Sequence, residues 1–226
     1  MCNLIHPAVS SWTIKLCGWV TIVSSDMSDK SLFPAMIKLS RRRCVVVGAG
    51  KVAAAKIKGL LACGAQVTVI SPEAGSSIRS QAGQGKLVWR RKSFSPRDIA
   101  GAFLVVAATD SPAVNAAVFR SCQTRRVLCN SVDDPAHCDF FYPAVVRRGP
   151  LQIAISTSGR SPALAARLRK ELARQFGPEW SGRVKSLGKR RKEILKTTSG
   201  AQKSKLLKRI ALPGSLPSGP ARAPKQ

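Results

Sequence analysis

Val45-Val-Val-Gly48-Ala-Gly50-Lys51-Val52-Ala53-Ala-Ala-Lys56 is the stretch that decides the fold, because it sets a G-x-G-x-x-A turn between a β-branched run and a helix-forming run. Such a turn aims the free N–H groups of a helix at the space beyond a strand, where a dinucleotide pyrophosphate can rest. Gly48 permits the tight turn, Gly50 lets the backbone approach the phosphates, and the small Ala53 lets the helix pack closely on the strand. NAD or a relative is the expected cofactor. A bland glycine-rich loop would match the same spacing, and the surroundings decide against it. Residues 51–63 read as a helix, Gly64 as its C-terminal cap, and 66–70 as a second strand.

Outward from that turn, strand and helix signals alternate from residue 43 to about Asp133. Further strands fall at 87–90, 103–107 and 127–131, short and mostly apolar, as strands covered on both faces should be. Between the last two, 112–123 makes a helix with Pro112 in its first turn and Asp110 or Ser111 as cap. The pattern predicts an α/β, Rossmann-like, doubly wound parallel sheet over 32–146. Two more strands, at 140–146 and 151–156, flank Arg147-Arg-Gly-Pro150 and signal that the chain is leaving this sheet. Ser161-Pro162 then opens a helix to about Gln175 with an apolar stripe, and Gly177-Pro178 ends it. We expect a small β/helical region at 147–176, a basic helical region at 177–212 with a helix candidate at 203–210, and a disordered, Pro- and Gly-rich tail at 213–226.

Residues 1–31 read as an extension that is not part of the fold. The apolar part near 14–23 is broken by Lys15 and falls short of the roughly 20 residues of a membrane span. It also lacks a basic lead and a small-residue cleavage site, and the functional chain is expected to begin near Met27. The seven cysteines (2, 17, 44, 63, 122, 129, 138) form no C-x-x-C pair. They imply neither a disulfide framework nor a zinc site, and suit a reducing, cytoplasmic setting.

The 38 Lys and Arg against 11 Asp and Glu give a formal charge of +27, so an anionic partner or substrate is implied. Nucleic acid is disfavoured, since aromatics are only 5% and none interleave with the basic residues as a stacking platform would. The rival reading of the charge is an NAD-responsive binding protein whose basic tail contacts nucleic acid.

Asp133 and Asp134 directly follow the 127–131 strand, at the carboxyl edge where ligands of parallel sheets bind. A carboxylate there could take a proton while a nicotinamide takes a hydride, or could simply cap the turn before Pro135. His137 and Cys138 are close by, but two adjacent ligands do not make a metal site, and none is expected. Thr157, Ser158 and Gly159, between a strand and a helix start, are expected substrate-binding residues, offering hydroxyl and backbone N–H groups to a carboxylate or phosphate. The ribose-binding position after the second strand is held by Ser71, with Glu73 slightly beyond. No Arg follows to receive a 2′-phosphate, which favours NAD over NADP.

Five ordered motifs carry a resemblance. They are Gly48-Ala-Gly-Lys-Val-Ala53 with Lys56, Ala107-Ala-Thr-Asp-Ser-Pro-Ala-Val-Asn115, Cys129-Asn-Ser-Val-Asp-Asp-Pro135, Phe140-Phe-Tyr-Pro143, and Gly149-Pro-Leu-Gln-Ile-Ala-Ile-Ser-Thr-Ser-Gly-Arg-Ser-Pro162. From about residue 32 to 175 the chain resembles the precorrin-2 dehydrogenase family, also found as the N-terminal module of siroheme synthase, where it can double as sirohydrochlorin ferrochelatase. The resemblance implies NAD-dependent oxidation of the tetrapyrrole precorrin-2 to sirohydrochlorin, with Asp133 as the acid/base residue. It implies nucleotide contacts by Lys51, Val52, Pro72 and Glu73, joined by Thr109 of the second motif. It also implies a homodimer joined through the region from about Arg147 onward. Ser158 departs from the family, standing where many members carry glycine.

On that reading the charge has a purpose, since a positive cleft concentrates a ring fringed by carboxylates. Salt screens such steering. We expect kcat/KM for the tetrapyrrole to fall steeply with ionic strength while NAD affinity changes less; equal salt sensitivity of the two would contradict it.

Overall fold

The computed structural model describes residues 32–211; the extension at 1–31 and the tail at 213–226 lie outside the described residues. Five short strands, β1 (Arg43–Val47), β2 (Gln66–Ile70), β3 (Val88–Arg90), β4 (Leu104–Ala107) and β5 (Leu128–Ser131), form one sheet in the order β3-β2-β1-β4-β5. All four pairings are parallel, as expected for a doubly wound sheet. The chain moves outward from β1 through β2 to β3, then returns past β1 to add β4 and β5. The order therefore reverses at β1, which opens a crevice at the carboxyl ends of β1 and β4.

The period-two alternation of the strands sorts the core into two layers. Cys44 and Val46 of β1 face α1 (Lys51–Ala62) and α2 (Ser76–Gly83), packing with Ala53, Ile57 and Ile78. Val45 and Val47 face the other way, onto Ile99 and α3 (Pro112–Arg125), packing with Val118 and Cys122. Each fully buried Ile or Val contributes about 1.5–3 kcal/mol, and this double coverage is why β1 and β4 carry no polar position after their first residues. Burial also acts on the thiols: it pushes Cys44 up to about 11, with Cys63 adding to the effect.

Gly64 at φ +74° closes α1 as expected, its N–H donating to the Leu61 carbonyl at 2.9 Å. Ser111 caps α3 through a bond from the Val114 N–H at 3.4 Å. Helix α2 was not anticipated; only Ile78 of its eight residues is buried, so its amphipathic signal is too short to stand out. The strand expected at 140–146 begins later. Phe140 to Pro143 stay outside any strand because the Phe140 carbonyl accepts a 2.8 Å bond from Asn130 Nδ2, which ties this stretch back to β5.

β6 (Ala144–Arg148) and β7 (Leu151–Ile155) pair antiparallel as a separate two-stranded ribbon, turning through Gly149 at φ +59°. The helix that follows, α4 (Pro162–Gln175), is capped by Ser161, which accepts from the Leu164 N–H at 3.2 Å. Arg148 fastens the ribbon to this helix by donating to the free carbonyls of Ala173 (2.9 Å) and Phe176 (2.7 Å). Two further helices, α5 (Trp180–Thr197) and α6 (Gly200–Arg209), complete the described chain, the latter beginning three residues earlier than its basic run suggested. No described helix is long and apolar enough to cross a membrane.

Candidate active site

Gly48 sits where the crevice opens, at φ +104°, a region that side-chain-bearing residues rarely enter. A Cβ here would lie 2.2 Å from the Ala108 carbonyl oxygen, so the turn after β1 passes directly against the end of β4. The Gly48 N–H also donates to the Ile70 carbonyl at 2.9 Å, which joins the ends of three adjacent strands at one point. Gly50 differs. Its φ is −75°, and a Cβ there would meet nothing within 4 Å. It caps α1 with no side-chain hydrogen bond, so the first N–H groups of the helix face open space, as an incoming phosphate requires.

That space is a cavity of about 770 Å³, within the range of small-molecule sites. Gly48, Gly50, Lys51, Ser71, Pro72, Glu73 and Thr109 all line it. Sequence reasoning missed Gly75, Ser76 and Ser77, which bring the N-terminus of α2 to the same wall, and Ser93 and Phe94, which close another side. A Gly-Ser-Ser run followed by Ile78 and Ala82, four residues apart, was the available signal. The Thr109 loop is held by buried Asn115, whose Nδ2 donates to the Thr109 carbonyl (3.0 Å) while its Oδ1 accepts from the Thr109 hydroxyl (2.8 Å). Two uncapped helix starts, hydroxyl-rich walls and the open face over Gly50 fit a dinucleotide; Gly50 and Lys51 would cradle its phosphates, and Ser71 and Glu73 lie where a ribose binds.

Val52 and Ala53 do not line this cavity. Ala53 is fully buried in the α1 layer of the core, where its small side chain sets the helix close to β1, and Val52 faces outward, 48% exposed. Thr157, Ser158 and Gly159, expected as substrate contacts and not as nucleotide contacts, also lie outside this cavity. Their turn serves the start of α4: the Thr157 hydroxyl accepts from the Ser161 N–H at 3.2 Å, and Ser158 and Gly159 occupy φ +51° and +80°. Ser158 thus holds a backbone conformation that glycine adopts without cost.

Asp133 lies two residues beyond β5, exposed and at φ +60°. Its surroundings are built by the loop that follows. Asn130 donates to the Phe140 carbonyl, Cys138 donates through Sγ to the Ser131 carbonyl at 3.1 Å, and Asp139 accepts from the Cys129 N–H at 2.8 Å. Asp134 is taken by His137, Oδ2 to Nδ1 at 2.5 Å, and that ring rests on Phe119. Facing Asp133 from the second turn of α1 is Lys56, half-buried. Burial lowers its ionisation from the usual lysine range, while the charges of Asp133 and Cys138 oppose that shift. Because Ala54 lines the cavity and Lys56 faces Asp133, α1 joins the two halves of the site across two residues, about 3 Å of helix rise. Among the described residues no group of three or more His, Cys, Asp or Glu could hold a metal ion.

Residues 35–144 match a family model described as NAD(P)-binding, and residues 148–175 match that of the sirohaem biosynthesis protein central region. Siroheme synthase 1 of Serratia proteamaculans (strain 568) is 36% identical over 181 residues, covering 74% of this chain and 38% of that protein. Siroheme synthase 2 of Yersinia pestis (strain Pestoides F) is 39% identical over 173 residues, covering 70% and 37%. The chain therefore spans well under half the length of these relatives. The solved structure of SirC, precorrin-2 dehydrogenase, superposes with a TM-score of 0.71 at 30% identity, covering 81% of this chain and 92% of that one.

The two glycines should separate in experiment. Gly48→Ala is expected to lose about 2–5 kcal/mol of stability in urea unfolding, from backbone strain plus the clash with Ala108. Gly50→Val should unfold near the wild-type midpoint yet bind NAD about tenfold or more weakly by fluorescence titration, since only the approach to the phosphates is blocked.

Proposed function

The chain belongs to the precorrin-2 dehydrogenase family, and from that premise we propose that it oxidises precorrin-2 to sirohydrochlorin with NAD, in siroheme biosynthesis. The observation that carries this reading is Asp133 at the carboxyl edge of β5, joined through α1 to the dinucleotide cavity. Oxidation removes one hydride and one proton from the reduced macrocycle and leaves one more carbon–carbon or carbon–nitrogen double bond. Bound NAD⁺ supplies the hydride acceptor. A carboxylate oxygen of Asp133 takes the proton, and its exposure leaves it open to the ring. The neighbouring carboxylates are already engaged, Asp134 by His137 and Asp139 by Cys129 and Gln123, so Asp133 is the free proton acceptor of this edge. Asn130 and Phe140 position the loop and take no part in the proton transfer.

The resemblance also implies iron insertion into sirohydrochlorin. We propose it as a second activity of the same edge, because chelation must strip pyrrole protons and Asp133 offers the acceptor, with iron as substrate. An assay of iron or cobalt insertion, run apart from NADH production, tests it.

We further propose a homodimer built on residues from about 147 onward, in the cytoplasm. An isolated two-stranded ribbon is marginally stable in water, and β6 and β7 each expose an unpaired edge within the described chain. Sedimentation equilibrium should give twice the chain mass, and a monomer at micromolar concentration would remove the dimer from this account.

Asp133→Asn should lower the rate of precorrin-2 oxidation, followed as NADH formation, by about 10²- to 10⁴-fold with NAD binding retained. A variant as fast as wild type would strip Asp133 of its role.

A further inference from the structure

Lys56 is not an ordinary surface lysine. Its Nζ lies 3.8 Å from the centroid of the Tyr142 ring, a cation–π contact at close range. The ring itself is fixed: Phe140 meets it edge-on at 5.6 Å, and the Phe140 carbonyl is tied to Asn130. The ammonium is thereby held in one place and partly stripped of water. Yet among the described residues no carboxylate pairs with it within 4 Å and no acceptor hydrogen-bonds to it; Asp133 acts on it only through its field. A half-buried cation with unused donors is a standing demand for an anion.

The rim around it is apolar. Val52, one turn before Lys56 on the same face of α1, is 48% exposed, and Tyr142 is 41% exposed. Exposed apolar surface at Val52 and the Tyr142 ring beside one unpaired ammonium, with a free carboxylate near it, matches a flat ring with apolar faces and a carboxylate fringe. An inorganic anion would have no use for the rim, and a neutral apolar ligand none for the cation.

We propose that Lys56 is a substrate-docking residue: its ammonium takes one peripheral carboxylate of the tetrapyrrole, with Tyr142 fixing the ammonium, and so brings the ring edge to Asp133. This rests on the tetrapyrrole reading above and adds to it the residue that orients the substrate. It also gives Val52 a place in the site, on the substrate rim rather than against the nucleotide.

The titration of the pair has a definite sign. Only the protonated amine docks an anion, so docking is complete below the ionisation of Lys56 and is lost as pH rises through it. Burial brings that loss to lower pH than for an exposed lysine. Burial also raises Cys138 and Tyr142, the latter helped by Cys44 and Cys63, and Lys56→Arg separates their ionisation from that of the lysine.

The test uses the full chain, with sirohydrochlorin binding read from its absorption, precorrin-2 turnover from NADH, and NAD affinity from tryptophan fluorescence. Lys56→Gln should raise Kd for sirohydrochlorin and KM for precorrin-2 by about 10- to 100-fold, the loss of one charge-assisted hydrogen bond. Its kcat should stay within a few-fold and NAD affinity should not change. Lys56→Arg should restore most of the binding, and the rise of KM at alkaline pH seen in wild type should vanish in it. Unchanged sirohydrochlorin binding in Lys56→Gln overturns the docking role while leaving the dehydrogenase reading intact. A parallel loss of NAD affinity, or a variant that does not fold, leaves the wild-type pH profile to decide, and a KM flat into the alkaline range overturns the proposal. Wild-type protein that neither binds sirohydrochlorin nor oxidises precorrin-2 sinks the tetrapyrrole reading itself.

Discussion

The missing side chain at Gly48 is the constraint on which the site depends. With a Cβ would-be contact at 2.2 Å, the turn after β1 can cross the end of β4 only because nothing projects from residue 48. That crossing places the start of α1 over the switch point of the sheet. It brings Ala108 and Thr109 to one wall of the cavity and leaves Gly50 and Lys51 at the other. Everything downstream inherits this geometry. Ala53 packs inward because α1 is pressed onto β1, and Lys56, nearly one turn further along the helix, faces Asp133.

Five of the carboxylates around the sheet show how tertiary surroundings assign roles to one chemical group. Asp98 is 3% exposed and used up by structure: it caps the turn at Ser95 through a 2.8 Å bond, pairs with Lys92 at 2.8 Å and approaches Arg90 at 3.6 Å. Arg43 completes that corner by donating to the Asp98 and Ala100 carbonyls. Asp139 stitches its loop to β5, and Asp134 holds His137. Glu73 lines the cavity. Asp133 alone of the three on the loop after β5 keeps its oxygens uncommitted among the described residues, which is what a proton acceptor needs.

The surplus of positive charge is distributed in the same graded way. A large share of it lies on α4, α5 and α6, mostly exposed, where it is hydrated and acts at long range. At Lys56 a cation becomes partly desolvated beside the site, because Tyr142 and the Asn130–Phe140 tie hold a ring against it. Long-range attraction and short-range docking are thus separate consequences of one composition, the first set by charge count and the second by packing.

What the amino-acid sequence determined by itself was whatever rests on local chemistry. The β-branched runs, the G-x-G-x-x-A turn, Gly64 and the Ser-Pro helix starts at Ser111 and Ser161 each constrain a few neighbouring residues, and the parallel sheet follows from their alternation. The five motifs were equally legible, and with them the family. What only the tertiary structure decided was which of those residues face the same space. Val52 and Ala53 stand in the glycine motif yet turn away from the cavity, since a helix spreads consecutive residues around its axis. The N-terminus of α2, announced by too short an apolar pattern, turns toward it. Phe140 to Pro143 read as strand but are diverted by one side-chain bond from Asn130, which no periodicity records. That bond sets the Tyr142 ring over Lys56, 86 residues earlier in the chain, because contacts between distant segments are fixed by packing and not by spacing.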